Sequence, residues 1–484
     1  MALTDDFLQE LPEPLVELYA EAERRILADM ARRINAYDYF IPAADHQKRV
    51  LEEMGAARAY ILKELAAMTN RTERELVRLM EEAGIEGISD DDAVYRAAGL
   101  KPQPLSASRL LQERLAAGYR QTKGLFKNLT QTTARTASQQ FEQALDNAWM
   151  MVSSGAFSRE EAMRTAIKQL AADSVQTIEY QSGRKLGIEA AVRLCVSTGA
   201  NQTVAKMQEA RAEEMGCDLV EVTAHAGARP EHAKWQGGIY SRSGKSQKYP
   251  SLRRVTGYGT AAGLCGCHCR HSFRPYIEGM PRRYTEEQLK AYEEKTREYN
   301  GVKLTEYEAR QQQRKIERNI RRWKRESAAM QAAGLDTGES AARLKHWQAV
   351  QKDFLSQTGL KRQTGREQVA GFGRSEAAKA RAEGRKTERF SANIIKARST
   401  STGIRITAVS PHLLERADER QFSADAVANA LTSPLKLGKI RADRSQQFVG
   451  ELVTVAINVD TGKVITAWPT STKLANKLKG ARQK

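Results

Sequence analysis

Ile26, Met30 and Ile34 fall one helical turn apart, while Arg24, Arg25, Asp29 and Arg33 occupy the positions between them. Apolar residues at this spacing form one buried stripe on an otherwise polar helix. The texture persists from residue 15 to about 216. It weakens where turn-forming residues gather, at 84–92 and 100–104, so a first helical region is expected over 1–105 and an all-helical body over 106–220. Ser158 followed by Glu160 and Glu161 reads as an N-cap with an acidic first turn. At 219–223 the period changes to strand-like alternation, and Gly, Pro, Tyr and Ser then dominate to Gly279. Residues 221–280 are therefore predicted to form a compact, turn-rich insert.

Helical periodicity returns over 281–355, where Ile316, Ile320 and Trp323 share a face and Arg310, Arg314, Lys315, Arg318, Arg321, Arg322, Lys324 and Arg325 crowd the remainder. Such a charge run predicts a solvated face, or one laid against nucleic acid. Residues 356–395, rich in Gly, Ser, Arg, Lys and Gln, read as a flexible linker. Beyond it, 411–417 and 423–431 read as helices, the second capped by Ser423 with Asp425 in its first turn. Residues 452–459 and 464–468 read as strands of a hairpin joined at Asp460-Thr461-Gly462. The pattern predicts a multidomain chain: a mainly α-helical body with a small turn-rich α/β insert, then a small α+β domain with an antiparallel sheet over 396–484.

The chain of 484 residues is 41% hydrophobic, enough to build cores, and carries 77 Lys and Arg against 59 Asp and Glu, a net +18. Residues 361–484 hold 24 basic and 11 acidic residues, so +13 of that excess lies in the last quarter. Such a surface suits a polyanion, whose counterions are released on contact, although a solvated basic tail has the same composition. No apolar run approaches the roughly 20 residues that cross a bilayer, and the first residues do not read as a secretory leader. No membrane partner is expected. Five cysteines, few and clustered, argue for a reducing cytoplasm rather than a disulfide framework.

Three of those cysteines lie in Cys265-Gly-Cys267-His268-Cys269-Arg270-His271. The run follows a second polar cluster, His225-Ala-Gly-Ala-Arg229-Pro-Glu-His232-Ala-Lys-Trp235-Gln-Gly237. Thiolate and imidazole are the ligands that tetrahedral Zn²⁺ prefers, and a small unit poor in apolar residues needs a staple. His225, His232, Cys265, Cys267, Cys269 and His271 are the candidate ligands of a structural zinc. Alternation by one residue departs from knuckle spacing and would put all three thiols on one face of a strand, as three small core residues would be. A hydrogen-bonded structural knot and a zinc-dependent catalytic centre are the other readings. Cys195 and Cys217, in helical context, read as small buried hydrophobes.

The two clusters, with Gly257-Tyr-Gly259 between them and Ser272-Phe273-Arg-Pro275 after them, resemble the phage minor capsid protein 2 family, related to head-morphogenesis proteins that sit with the portal. Cys267 and His268 stand where the family pattern has an aromatic residue and Asn. The resemblance implies a virion protein of the head interior or portal vicinity, with portal and other capsid proteins as partners, present in the host cytoplasm during assembly and after delivery.

The last 85 or so residues resemble the barnase, EndoU, colicin and RelE-like nuclease superfamily, in the version found at the ends of phage structural proteins and polymorphic toxins. The resemblance rests on His412-Leu-Leu-Glu415-Arg416-Ala-Asp-Glu-Arg420-Gln-Phe-Ser423 and on the hairpin Val453 to Pro469. It implies a metal-independent endoribonuclease that needs no cofactor, delivered with the genome, with an immunity protein as its partner. RNA is cut without metal when its 2′-hydroxyl attacks phosphorus, given a base, an acid and cations for the developing charge. His412, Arg416 and Arg420 are spaced by four, so they follow one helix stripe that drifts by about 40° per step. His412 is the expected general base or acid, Arg416 the phosphate clamp, and Thr466 with Ser471 or Thr472 the hydroxyl donors. Arg420, Lys436, Lys439, Arg441 and Arg444 are the expected nucleic-acid contacts, and Arg420 at a helix end also suits the dipole. The rival reading is a purely structural minor capsid protein whose basic C-terminal domain binds packaged DNA without cleaving it.

Overall fold

The structure, a computed structural model, describes residues 3–179, 185–373, 389–410, 413–414, 416–417, 420 and 422–482. The chain divides into two compact units, one of residues 1–334 and 349–371 and the other of 335–348 and 372–484.

The first unit opens with helices α1 (Asp5–Glu10), α2 (Glu13–Ala36), α3 (Ala43–Ala67), α4 (Thr69–Ala97), α5 (Arg109–Ser153) and α6 (Arg159–Asp173). Ser158 caps α6 with a reciprocal capping box through Glu161, satisfying two orphan donors. The body is not wholly helical. Strands β1 (Gln176–Glu179) and β2 (Lys185–Gly187) form a hairpin before α7 (Ile188–Glu214). Residues 84–92, expected to break the helix, lie inside α4, because Gly84 and Gly87 serve packing. A Cβ on Gly87 would stand 2.3 Å from Val204 Cγ1 of α7.

Helix α7 is the axis of the unit, with 18 of its 27 residues buried, so it shows almost no amphipathic stripe. It crosses α5 through two reciprocal contacts: a Cβ on Gly118 would lie 2.1 Å from Thr203 Oγ1, and one on Gly199 would lie 2.4 Å from Thr122 Oγ1. Both threonine hydroxyls turn back to donate to a carbonyl of their own helix, Thr122 to Gly118 and Thr203 to Gly199. The two backbones approach closely because each supplies a glycine opposite the other's β-branched residue.

The insert follows as β3 (Leu219–Val222), α8 (Pro230–Ala233), β4 (Ile239–Ser241), α9 (Leu252–Thr256) and β5 (Phe273–Pro275), with the three strands in an antiparallel sheet of order β4-β3-β5. Its core gathers Val220, Val222, Trp235, Tyr240, Leu252, Tyr258, Leu264, Cys265, Cys269 and Phe273 against Ala205 of α7. Next come α10 (Glu286–Glu293), the unanticipated hairpin β6 (Arg297–Tyr299) and β7 (Val302–Leu304), α11 (Glu306–Ala332) and α12 (Gly338–Thr358). The α11 charge run is not a solvated face. Arg310 pairs with Asp5 and Glu306, Arg321 with Glu189, and buried Arg325 donates to Ala171 O; only Lys315 and Arg318 of the run are exposed. The expected linker likewise begins later, since Glu367 is buried, pairs with Arg362 and accepts from Lys324 Nζ through its carbonyl.

In the second unit, β8 (Ala408–Val409), β9 (Lys436–Leu437), β10 (Ser445–Val449), β11 (Val453–Asn458) and β12 (Lys463–Pro469) form one sheet of order β8-β12-β11-β10-β9. The sheet is antiparallel except at the β12–β8 edge, which is parallel and corrects the purely antiparallel expectation. Asn458 Oδ1 accepts from the Asp460 and Thr461 amides and Gly462 adopts φ 66°, which closes the β11–β12 turn as its sequence predicts. Helix Ala424–Thr432, capped by Ser423, lays Val427, Ala430 and Leu431 on Phe448, Val453, Val455, Ile457, Val464 and Ala467. This α+β unit thus has its own core. Among the described residues no helix is long and apolar enough to cross a membrane.

The α5–α7 crossing predicts an inverted response to a helix-favouring substitution. Gly118→Ala or Gly199→Ala should destabilise the chain by about 1–3 kcal/mol through overpacking, whereas Gly124→Ala, with no atom within 4 Å of its added Cβ, should stabilise α5 by up to about 1 kcal/mol. Thermal melts of the three variants read the contrast, and equal effects at all three positions would contradict the close crossing.

Candidate functional site

The Cys/His run is neither strand nor helix. From Thr256 to Ser272 the chain winds through consecutive turns, with Cys265 and His268 in the left-handed region at φ 57° and 54°. The three thiols therefore do not share a strand face. Cys265 and Cys269 turn into the core, while Cys267 is exposed.

The loop is pinned from α7. Asn201 Nδ2 donates to both the Cys269 and His271 carbonyls at 3.0 Å, and the His268 amide donates to Thr198 Oγ1 at 3.4 Å. Gln208, two turns on, donates to Phe273 O at 2.7 Å and accepts from Ser272 Oγ at 3.2 Å. Its amide also donates to Asp91 of α4 at 3.1 Å. Burial holds the Asp91 carboxyl well above the usual carboxylate range, against that hydrogen bond.

Three side chains converge under this clamp. His232, Cys269 and His271 are each at most 3% exposed, and one donor atom from each lies within 4.8 Å of the others. Cys269 Sγ stands 3.6 Å from His232 Nδ1 and 3.8 Å from His271 Nδ1. The far nitrogens are engaged elsewhere: His232 Nε2 lies 2.9 Å from Ala262 O, and His271 Nε2 lies 3.2 Å from Gln236 Oε1. A carbonyl only accepts, so His232 carries its proton on Nε2. Gln236 Oε1 also accepts the His225 amide at 3.0 Å, which identifies it as the oxygen and puts the His271 proton on Nε2 as well.

Burial depresses both imidazoles below the ordinary histidine range and pushes the Cys265 and Cys269 thiols up. The remaining candidates fall outside the converging set. Cys265 Sγ donates to His271 O at 3.6 Å, and His225 stacks on His271 with ring centroids 4.4 Å apart. Burial lowers the His225 imidazole to about 4, against the attraction of Asp5. Asp5 itself is ion-paired with Arg270 and Arg310, which with His225 outweigh burial and keep its carboxyl below the usual range. Cys195 is buried in α7, and Cys217, just past the helix, donates to Leu219 O and Tyr276 O. Asn201, Gln208 and Asp5 were not singled out from sequence. Asn201 and Gln208, seven apart in an Ala- and Val-lined helix, were the available signal.

In the second unit, His412 and Glu415 lie outside the described residues. Ser410, just ahead of His412 in the chain, is held by β12 and by Leu413. Its amide donates to Val464 O at 2.8 Å, its hydroxyl meets Ile465 O, and its Oγ accepts the Leu413 amide at 3.0 Å. Thr466 is half-buried on β12 opposite Ala456, beside a register shift that makes Ile465 the extra residue. Arg416 is half-buried and Arg420 exposed. Ser471 accepts the Leu474 amide and starts helix Thr472–Arg482, and both Ser471 and Thr472 are exposed. Lys436, Lys439 and Arg441 are exposed along β9 and the turn after it, while Arg444 makes a two-pronged pair with Asp460 at 2.8 and 2.6 Å.

With this geometry established, the relatives are informative. The family model described as "Phage minor capsid protein 2" matches residues 3–356. The chain is 24% identical over 301 residues to a "Structural protein" of Lactococcus phage LL-H, covering 59% of this chain and 77% of that one. It is 34% identical over 126 residues to a "Structural protein" of Lactococcus phage mv4, covering 25% of this chain and 94% of that one. No solved structure matches the chain.

The thiol geometry makes a direct prediction. In the native chain a thiol-specific dye should label Cys267 rapidly and leave Cys265 and Cys269 unlabelled until denaturant is added. Cys267→Ser should remove the fast phase, and fast labelling that survives in this variant at Cys265 or Cys269 would contradict their burial.

Proposed function

The chain belongs to the phage minor capsid protein 2 family, and on that premise we propose that it is a minor head protein of the virion, seated near the portal, whose second unit is a metal-independent ribonuclease. The portal and neighbouring capsid proteins are its partners in this reading, and RNA of the infected cell is the substrate. The family match ends at residue 356, ahead of the α+β core. The α+β part of the second unit is therefore read as a module carried by the capsid protein, with an activity of its own.

The observation that carries the nuclease reading is the fastening of Ser410 to β12. Val464 O and Ile465 O hold Ser410, so the segment that leads within two residues to His412 starts beside Thr466. In this reading His412 supplies the base or acid and Thr466 the hydroxyl that 2′-hydroxyl attack on phosphorus requires. In that reaction the 2′-oxygen forms a bond to phosphorus, the bond to the 5′-oxygen breaks, and His412 moves the proton. Arg416 steadies the charge that develops on the non-bridging oxygens. The exposed Lys436, Lys439 and Arg441 suit the RNA backbone.

The full-length protein, incubated with mixed RNA in the presence of chelator, should yield fragments ending in 2′,3′-cyclic phosphate. His412→Ala should lower the rate by about 10²–10⁴-fold, and Thr466→Val by less. Cleavage undiminished in His412→Ala would remove that assignment. RNA or DNA binding with steep salt dependence and no cleavage by the parent would replace the nuclease with a structural tail that contacts packaged nucleic acid.

A further inference from the structure

The insert rests on three strands of three or four residues and two helices of four or five. Elements this short bury little apolar area of their own, and the loop 257–272 that closes the insert contains no regular element. Within it, two lone pairs point at one sulfur. His232 and His271 each keep their proton on Nε2, so both Nδ1 atoms face Cys269 Sγ as acceptors. A thiol has one proton and satisfies one of them. The other contact would set a nitrogen lone pair against sulfur lone pairs, inside a core where an unmet polar group is costly.

A cation between the three atoms resolves this conflict. A Zn–S bond of about 2.3 Å and Zn–N bonds of about 2.0–2.1 Å, set at the tetrahedral angle, hold sulfur and nitrogen about 3.5 Å apart. The observed separations are 3.6 and 3.8 Å. The surroundings also match a metal centre. Each candidate imidazole is oriented by an acceptor on its far nitrogen, Ala262 O for one and Gln236 Oε1 for the other. The ligand backbone is fixed by Asn201, which clamps the carbonyls of both Cys269 and His271.

We propose that His232 Nδ1, Cys269 Sγ and His271 Nδ1 bind a structural Zn²⁺ that ties α8 to the turn preceding β5. Cys269 binds as thiolate, its proton passing to solvent as the ion enters. No fourth side chain among the described residues joins the set, which leaves the fourth position of the tetrahedron to a water molecule. With every ligand buried, the ion holds the insert together and meets no substrate. The site is independent of the proposed ribonuclease, which needs no metal.

The test uses the full-length chain, expressed with zinc in the medium and purified without chelator. Elemental analysis should find about one zinc per chain. Exchange for Co²⁺ should produce the thiolate-to-cobalt charge-transfer band in the near ultraviolet and the strong visible bands of a tetrahedral ion. Cys269→Ser should abolish the charge-transfer band, and Cys267→Ser should leave it intact. Gln236→Ala, which removes the acceptor shared by His271 Nε2 and the His225 amide but none of the three ligands, should fold and bind zinc about 10–100-fold more weakly. Stripping the ion should lower the melting temperature of the parent. A parent chain that carries no zinc and gives no cobalt band overturns the proposal, as does a charge-transfer band that persists in Cys269→Ser or vanishes in Cys267→Ser.

Discussion

A helix buried over most of its surface must find partners for its polar side chains inside the protein, and the first unit is organised around that constraint at α7. Asn201, Gln208 and Arg211 are all at most 1% exposed. Asn201 and Gln208 hold the backbone on either side of the Cys/His turn, at Cys269, His271 and Phe273. Arg211 meets Asp92 of α4, Glu214 of its own helix and the carbonyl of Gln103. A buried amide left without a partner costs about 1–3 kcal/mol, and a buried guanidinium more. Displacing the loop from α7 would strip Asn201 of both its acceptors and Gln208 of its Ser272 and Phe273 partners, so the insert and the helical body are stabilised together.

The legible parts of the sequence were those in which one face meets water. Ile26, Met30 and Ile34 announce α2 because arginines occupy its other side, and all three are buried. Ser158 and Ser423 were readable as caps because a cap is a local device whose partner lies three residues away. The Asp460-Thr-Gly462 turn was readable for the same reason. Residues 84–92 misled because glycine signals a break only when nothing needs its missing side chain, and Val204 does. The arginines of α11 misled in the opposite sense: charge density says exposure until the acidic partners are known, and Asp5 and Glu189 lie hundreds and over a hundred residues away in the chain.

The candidate site shows the same division at finer grain. Residue types in the Cys/His run pointed to the region, and three of its six candidate ligands converge. Which three was not readable, because the run winds through turns with two left-handed residues rather than along a strand. Periodicity assigns side chains to faces only in regular elements. The supports were harder still. Gln236 is visible in the motif as one amide among several, and only its double role at the His225 amide and His271 Nε2 gives it meaning.

That double role sets the chemistry of the cluster. If Gln236 presented its amide nitrogen to His271 Nε2, the imidazole would have to carry its proton on Nδ1, where it could donate to Cys269 and satisfy the sulfur without an ion. The His225 backbone amide forbids this orientation, since it requires an acceptor at the same atom. One main-chain N–H thus selects the tautomer of a histidine 46 positions along the chain and leaves its Nδ1, like that of His232, facing the thiol as an acceptor, the arrangement on which the proposed zinc site rests. The fold supplies that N–H from the end of β3 and the sulfur from the turn before β5, strands that are paired in register from Val220–Pro275 to Val222–Phe273. The β3–β5 pairing, held in turn by Gln208 of α7 at Phe273 O, sets the separation of the two.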